Sequence, residues 1–150
     1  MIKNIRHVGF VTANLEKALK FYTEILDLKI IEQGKLDQYE TLKLIGIVDS
    51  NIIWIKLGTE ENNCLLELYY FESAKVREWF SDLKIDDDGY EVYSYHHISF
   101  TVDNIEKLHF TLIKENVEMI CSPSIDALCK HKIFFARDND GNLIEFVEKI

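Results

Sequence analysis

The chain has 150 residues, 47% of them apolar and 29% charged, with a formal net charge of −9. That length suits one packed domain, and the acidity argues against a nucleic-acid groove, which needs clustered Lys and Arg. No stretch approaches the roughly 20 apolar residues that cross a bilayer, so no membrane partner is expected. The three cysteines, Cys64, Cys121 and Cys129, are odd in number and form no CxxC. They read as reduced thiols of a cytoplasmic protein, with Cys64 a small hydrophobe inside an apolar run. The opening Met1-Ile2-Lys3-Asn4 leads into a predicted strand, not an apolar leader.

That first strand is expected from Ile5 to Thr12. Asn14 then caps a helix over about Leu15 to Leu26, because its side chain can accept from the free amides of the first turn. Leu15, Ala18, Leu19, Tyr22, Ile25 and Leu26 recur at helical spacing and form one apolar stripe. Shorter strands follow near Lys29 to Gln33, Ile52 to Leu57 and Cys64 to Tyr70. Between them Asp37 to Ile47 reads as an inserted short helix, either a cover for the sheet or a lid carrying Glu40. The connector, 72–95, holds a second short helix over Ser73 to Leu83. Asp86-Asp87-Asp88-Gly89 after it lacks the alternating oxygen ligands of a calcium loop and reads as a solvated turn.

The order then repeats. A strand is expected from His97 to Val102 and a helix to about Asn116, with Asp103 as its N-cap and Glu106 completing a capping box. Strands near Glu118 to Cys121, Lys132 to Ala136 and Leu143 to Glu148 follow, the last two joined by the turn Asp138-Asn139-Asp140-Gly141-Asn142. Each copy is βαβββ: module 1 about 3–71, module 2 about 96–150, both within a single domain, 1–150. The class is α+β.

The copies match in detail. His7-Val8-Gly9-Phe10 returns as His97-Ile98-Ser99-Phe100, and Leu66-Glu67-Leu68 as Ile144-Glu145-Phe146. Asn14-Leu15-Glu16-Lys17 and Asn104-Ile105-Glu106-Lys107 stand seven residues past their histidines. Side chains alternate across a strand, so the apolar neighbours face the helix while His7, Glu67, His97 and Glu145 take the opposite face. A carboxylate between apolar strand neighbours is costly to bury unless paired or bound to a cation. The four residues therefore outline a divalent metal site. His96 has the wrong offset and parity, and His109 and His131 are expected on the surface.

Together with Phe21-Tyr22-Thr23-Glu24-Ile25-Leu26-Asp27-Leu28 and Arg137-Asp138-Asn139-Asp140-Gly141-Asn142, these motifs make the chain resemble the vicinal oxygen chelate superfamily. That group includes glyoxalase I, methylmalonyl-CoA epimerase, extradiol dioxygenases, and fosfomycin and bleomycin resistance proteins. The resemblance implies two βαβββ modules forming a cupped, barrel-like mixed sheet with helices outside and a metal inside the cup. It implies one divalent ion, Zn, Ni, Co, Mn or Fe, since mixed N and O donors accept all of these. The ligand set of bacterial glyoxalase I matches His7, Glu67, His97 and Glu145 one for one. The dioxygenases and fosfomycin enzymes leave the position of Glu67 unused, and bleomycin-binding members lack the ligands.

The activity implied is an isomerase, epimerase or glyoxalase-like lyase step on a small molecule through a metal-bound enediolate, with Glu145 or Glu67 moving the proton. The rivals are a non-catalytic small-molecule binding protein and a metal-dependent thiol transferase or dioxygenase. Val11 and Phe71 stand where glyoxalase I carries an arginine and an asparagine. The stretch Asn51 to Lys56 offers Trp54 but no acid where the epimerases carry a catalytic glutamate. Both modules of one chain are expected to form the cup, with a homodimer built on top.

Overall fold

A computed structural model describes residues 4–36, 51–60, 64–72, 97–126 and 130–150. Module 1 comprises β1 (His7–Thr12), α1 (Leu15–Leu19) continuing into a π-helical turn (Lys20–Ile25), β2 (Lys29–Leu36), β3 (Ile52–Gly58) and β4 (Leu65–Phe71). Module 2 comprises β5 (Ile98–Thr101), α2 (Ile105–Lys114), β6 (Glu118–Met119), β7 (Ser124–Ile125), β8 (His131–Arg137) and β9 (Leu143–Lys149). The predicted βαβββ order holds, with the short β7 as an addition. It arises because Ser124 and Ile125 pair with Ile133 and Lys132 on β8. The inserted helix, the connector helix and its Asp-rich turn lie outside the described residues.

The strands form two mixed sheets, ordered β1-β4-β3-β2 and β5-β9-β8-β6. They are two separate sheets of paired βαβββ modules and do not close into a barrel. The repeat is most evident in the register. β1 runs parallel to β4 with Val8 opposite Leu66, Gly9 opposite Glu67 and Phe10 opposite Leu68. β5 runs parallel to β9 with Ile98 opposite Ile144, Ser99 opposite Glu145 and Phe100 opposite Phe146.

Ala18, Phe21 and Tyr22 of the first helical segment, Ile105 and Leu112 of the second, and Phe10, Leu66, Leu68, Phe134, Ile144 and Phe146 of the strands form one core cluster. Hydrophobic burial of this kind drives the packing at about 25 cal/mol per Å² of apolar surface. Asn14 accepts from the Lys17 amide at 3.0 Å and Asn104 from the Lys107 amide at 2.9 Å. The second cap is therefore Asn104, not Asp103. The helix starts one residue later than predicted, at the position the repeat itself assigns. Asp27 and Asn116 leave the helical layer with φ of 58° and 57°. Short polar side chains tolerate this left-handed conformation better than most.

The modules also meet each other. The Tyr22 hydroxyl donates to the buried Asp138 Oδ2 at 2.7 Å, and the Thr12 hydroxyl donates to Asp140 Oδ2 at 2.5 Å. The Ala13 amide donates to Asp140 Oδ1 at 2.9 Å, and Lys20 pairs with Glu115 at 3.0 Å. These contacts join the helical layer and the β8–β9 turn, not the faces that carry the histidines.

Candidate metal centre

Parallel pairing of the first and last strands of each module sets a histidine beside a glutamate. His7 stands two residues before Gly9, so it shares a sheet face with Glu67, the partner of Gly9. His97 stands two residues before Ser99 and shares a face with Glu145 in the same way. The result is two equivalent pairs. His7 Nε2 lies 3.1 Å from Glu67 Oε2, and His97 Nε2 lies 3.4 Å from Glu145 Oε2. Two donors each about 2.0–2.2 Å from one cation stand roughly 2.9–3.5 Å apart in octahedral or tetrahedral geometry. Both pairs already have that spacing.

The four do not converge within one chain. Among the described residues, no three His, Cys, Asp or Glu side chains gather into a group that could hold a metal ion. Within the described residues the donors stand as two His–Glu pairs and not as one group of four. The polar contacts between the modules described above run through helix and turn.

Sequence reasoning missed the surroundings of Glu67. Its side chain is 6% exposed, and Lys56 Nζ lies 3.9 Å from its other oxygen, Oε1. Lys56 is itself only 11% exposed and pairs with Glu32 Oε2 at 2.7 Å. Its ammonium lies 4.6 Å from the centroid of the Trp54 ring, a cation–π contact. The Tyr69 hydroxyl hydrogen bonds to Glu67; burial first, and then the Glu67 charge, push that phenol above its usual range. Lys56 lies opposite both Glu32 on β2 and Glu67 on β4, so one register line carries all three. The Lys56 contact holds the Glu32 carboxyl below the usual carboxylate range. The signal was present in the sequence: Lys56 sits between Ile55 and Leu57, as Glu67 sits between Leu66 and Leu68.

Glu145 is different. Its side chain is 18% exposed, and it lies across the strand pair from Phe135, whose ring meets the edge of the His97 ring at 5.5 Å. No lysine pairs with it among the described residues.

Other candidates fall elsewhere. The His109 ring packs edge-on against Phe134 at 5.3 Å, so it is a partly buried packing residue, not the surface histidine expected. His131 Nδ1 lies 3.0 Å from Asp126 Oδ2 at the start of β8 and is likewise half-buried. Cys64 is exposed and stands just before β4, which begins at Leu65, so it is not the buried small hydrophobe expected. His96, Glu40 and Cys129 lie outside the described residues.

Two βαβββ modules, each with a His–Glu pair in one register, define a paired-module architecture. The profile of the Glyoxalase/Bleomycin resistance protein/Dioxygenase superfamily matches residues 4–146, and the chain belongs to that superfamily. A lactoylglutathione lyase of Schizosaccharomyces pombe is 30% identical over 146 residues, 97% of this chain and 47% of that protein. The chain thus spans about half the length of that relative. A metallothiol transferase FosB of Staphylococcus epidermidis is 29% identical, with 97% of this chain and 83% of that one covered. A glyoxalase family protein from Bacillus cereus has the same fold, with a TM-score of 0.85 at 17% identity over 100% of this chain and 96% of that one.

Proposed function

We propose that the chain is a metal-dependent enzyme of this superfamily that catalyses an isomerase, epimerase or glyoxalase-like lyase step on a small molecule bearing adjacent oxygens. His7, Glu67, His97 and Glu145 would hold one divalent ion. The residues fit such an ion: each module offers one imidazole nitrogen and one carboxylate oxygen already at the spacing of neighbouring ligands, 3.1 Å and 3.4 Å. Because no three of these donors gather among the described residues of one chain, we assign the complete site to a homodimer, with module 1 of one copy facing module 2 of the other. A divalent ion there would stabilise the negative charge that develops on an enediolate oxygen.

The chain's own residues supply the rest. Glu67 has both oxygens engaged, by His7 and by Lys56 and Tyr69, which suits a fixed ligand. Glu145 has more freedom and is the group assigned to take the proton from carbon and return it. His7 and His97 hold position. Val11 and Phe71 replace the glutathione-holding residues of the resembling glyoxalases, so a thiol adduct is one substrate class among several.

The carrying observation is Glu67, buried and 3.1 Å from His7. The FosB relatives favour a second reading, thiol transfer, but enzymes of that resemblance leave this position unused. A metal-free sequestering module would have no use for four matched donors, and a metal-binding protein without catalysis would show the ion but no exchange. Elemental analysis of the purified protein should find one divalent ion per His–Glu–His–Glu set. A deuterium-exchange screen with 2-hydroxyketones and acyl thioesters should then show carbon-bound exchange. Bound metal with no exchange on any such compound, but with thiol addition to an epoxide, would move the assignment to transfer chemistry.

A further inference from the structure

The two half-sites differ by one buried cation, and we propose that Lys56 is a resident counter-ion of Glu67 that competes with the metal, weakening the hold of module 1 while fixing Glu67 as a single-oxygen ligand. The inference rests on the metal-site reading above and concerns what this chain adds to it.

Lys56 cannot simply turn away into water. Its side chain is 11% exposed, its ammonium lies over the Trp54 ring, and Glu32 holds it at 2.7 Å. The Trp54 ring occupies the space that Gly34, its cross-strand partner, leaves open. A Cβ there would stand 2.6 Å from the indole Cζ2. The ammonium therefore stays 3.9 Å from Glu67 Oε1, while Oε2 faces His7. A carboxylate held this way presents one oxygen to a cation. Its charge is already partly neutralised, and the incoming ion meets a like charge only a few ångströms away in a poorly hydrated site. Without a metal, the same contact spares Glu67 the cost of an unpaired buried charge. Module 2 has no such cation among the described residues, so the two halves hold the ion unequally.

The test is a Co2+ titration of the full-length protein followed by its visible absorption, with circular dichroism to confirm folding. Lys56→Met should bind Co2+ about tenfold tighter or better, with an altered absorption band as Glu67 becomes free to offer both oxygens. Lys56→Arg should restore the wild-type affinity and band. Glu32→Gln should act in reverse. Lys56 then has Glu67 as its remaining carboxylate, and Co2+ binding should weaken several-fold. Damage to the fold would weaken binding in every variant, so a gain in Lys56→Met cannot come from that source. If Lys56→Met fails to fold, Glu32→Gln with a wild-type circular dichroism spectrum and melt decides alone: weaker binding supports the proposal, and unchanged or tighter binding overturns it. Equal Co2+ affinity in all four proteins overturns it while leaving the metal site standing. No Co2+ binding by any of them removes both readings together.

Discussion

Modules 1 and 2 place the same His–Glu pair in the same parallel register, yet they surround it differently. In module 1 the glutamate is buried beside a lysine and a tyrosine; in module 2 it is more exposed and lies across from a phenylalanine. The framework obeys the repeat and the surroundings do not. The shared features, strand parity and helix caps, are fixed by backbone geometry. The features that differ, Lys56 and Phe135, are single side chains on the middle strands. A duplicated unit can thus keep its ligands and specialise each half by changing a neighbour.

The largest expected effect falls on the unequal carboxylates. Glu145→Gln should keep some metal and lose solvent-deuterium exchange by ~10²–10⁴-fold. Glu67→Gln should chiefly lower metal affinity, with exchange recovered at high metal concentration. If the two variants behave alike, the division of roles between modules is wrong. Next come the ligands themselves: His7→Ala and His97→Ala should each weaken metal binding in a dialysis or cobalt titration. His109→Ala should leave binding intact and cost ~0.5–1.5 kcal/mol of stability through its lost contact with Phe134.

Smaller effects test the framework. Tyr22→Phe removes the 2.7 Å bond to Asp138 and should cost ~1–3 kcal/mol in a denaturant melt, without altering metal affinity. Asn14→Ala and Asn104→Ala should cost similar amounts, ~1 kcal/mol each, because the two caps make the same bond. A large difference between them would break the equivalence of the helices. The smallest effect is on acid stability. Glu32 titrates below its ordinary 4.5 in the folded state, so its contribution is present above that pH and fades as pH falls through the lowered value. Glu32→Gln should flatten that part of the stability–pH curve, a change confined to module 1.

Much of this was legible in the sequence, for definite reasons. Strand alternation and the matched His7/His97 and Glu67/Glu145 positions specify which face each donor takes, and register follows from the same pattern. The Asn104 cap was legible too, from its match to Asn14, but the local capping-box pattern pointed to Asp103. Cross-strand neighbours were harder. That Lys56 sits opposite both Glu32 and Glu67 depends on a shift in the β2–β3 ladder between Ile30 and Glu32, which no local pattern announces. The separation of the two pairs depends on how whole modules dock. Tyr22 and Asp138, 116 residues apart, take part in that docking, and neither looked unusual where it stood.

Gly34 shows how far from the ligands such a site can be adjusted. It touches none of the four donors and lies on the edge strand, where exchanges are ordinarily harmless. Yet a single methyl group there would crowd the indole and disturb the ammonium resting on it, and so, at the proposed site, alter the grip on an ion two strands away. Affinity at the proposed site would therefore be open to change through a position that no inspection of the ligands would single out. A library that varies residue 34 alone should sort by metal retention, even though every member keeps all four donors.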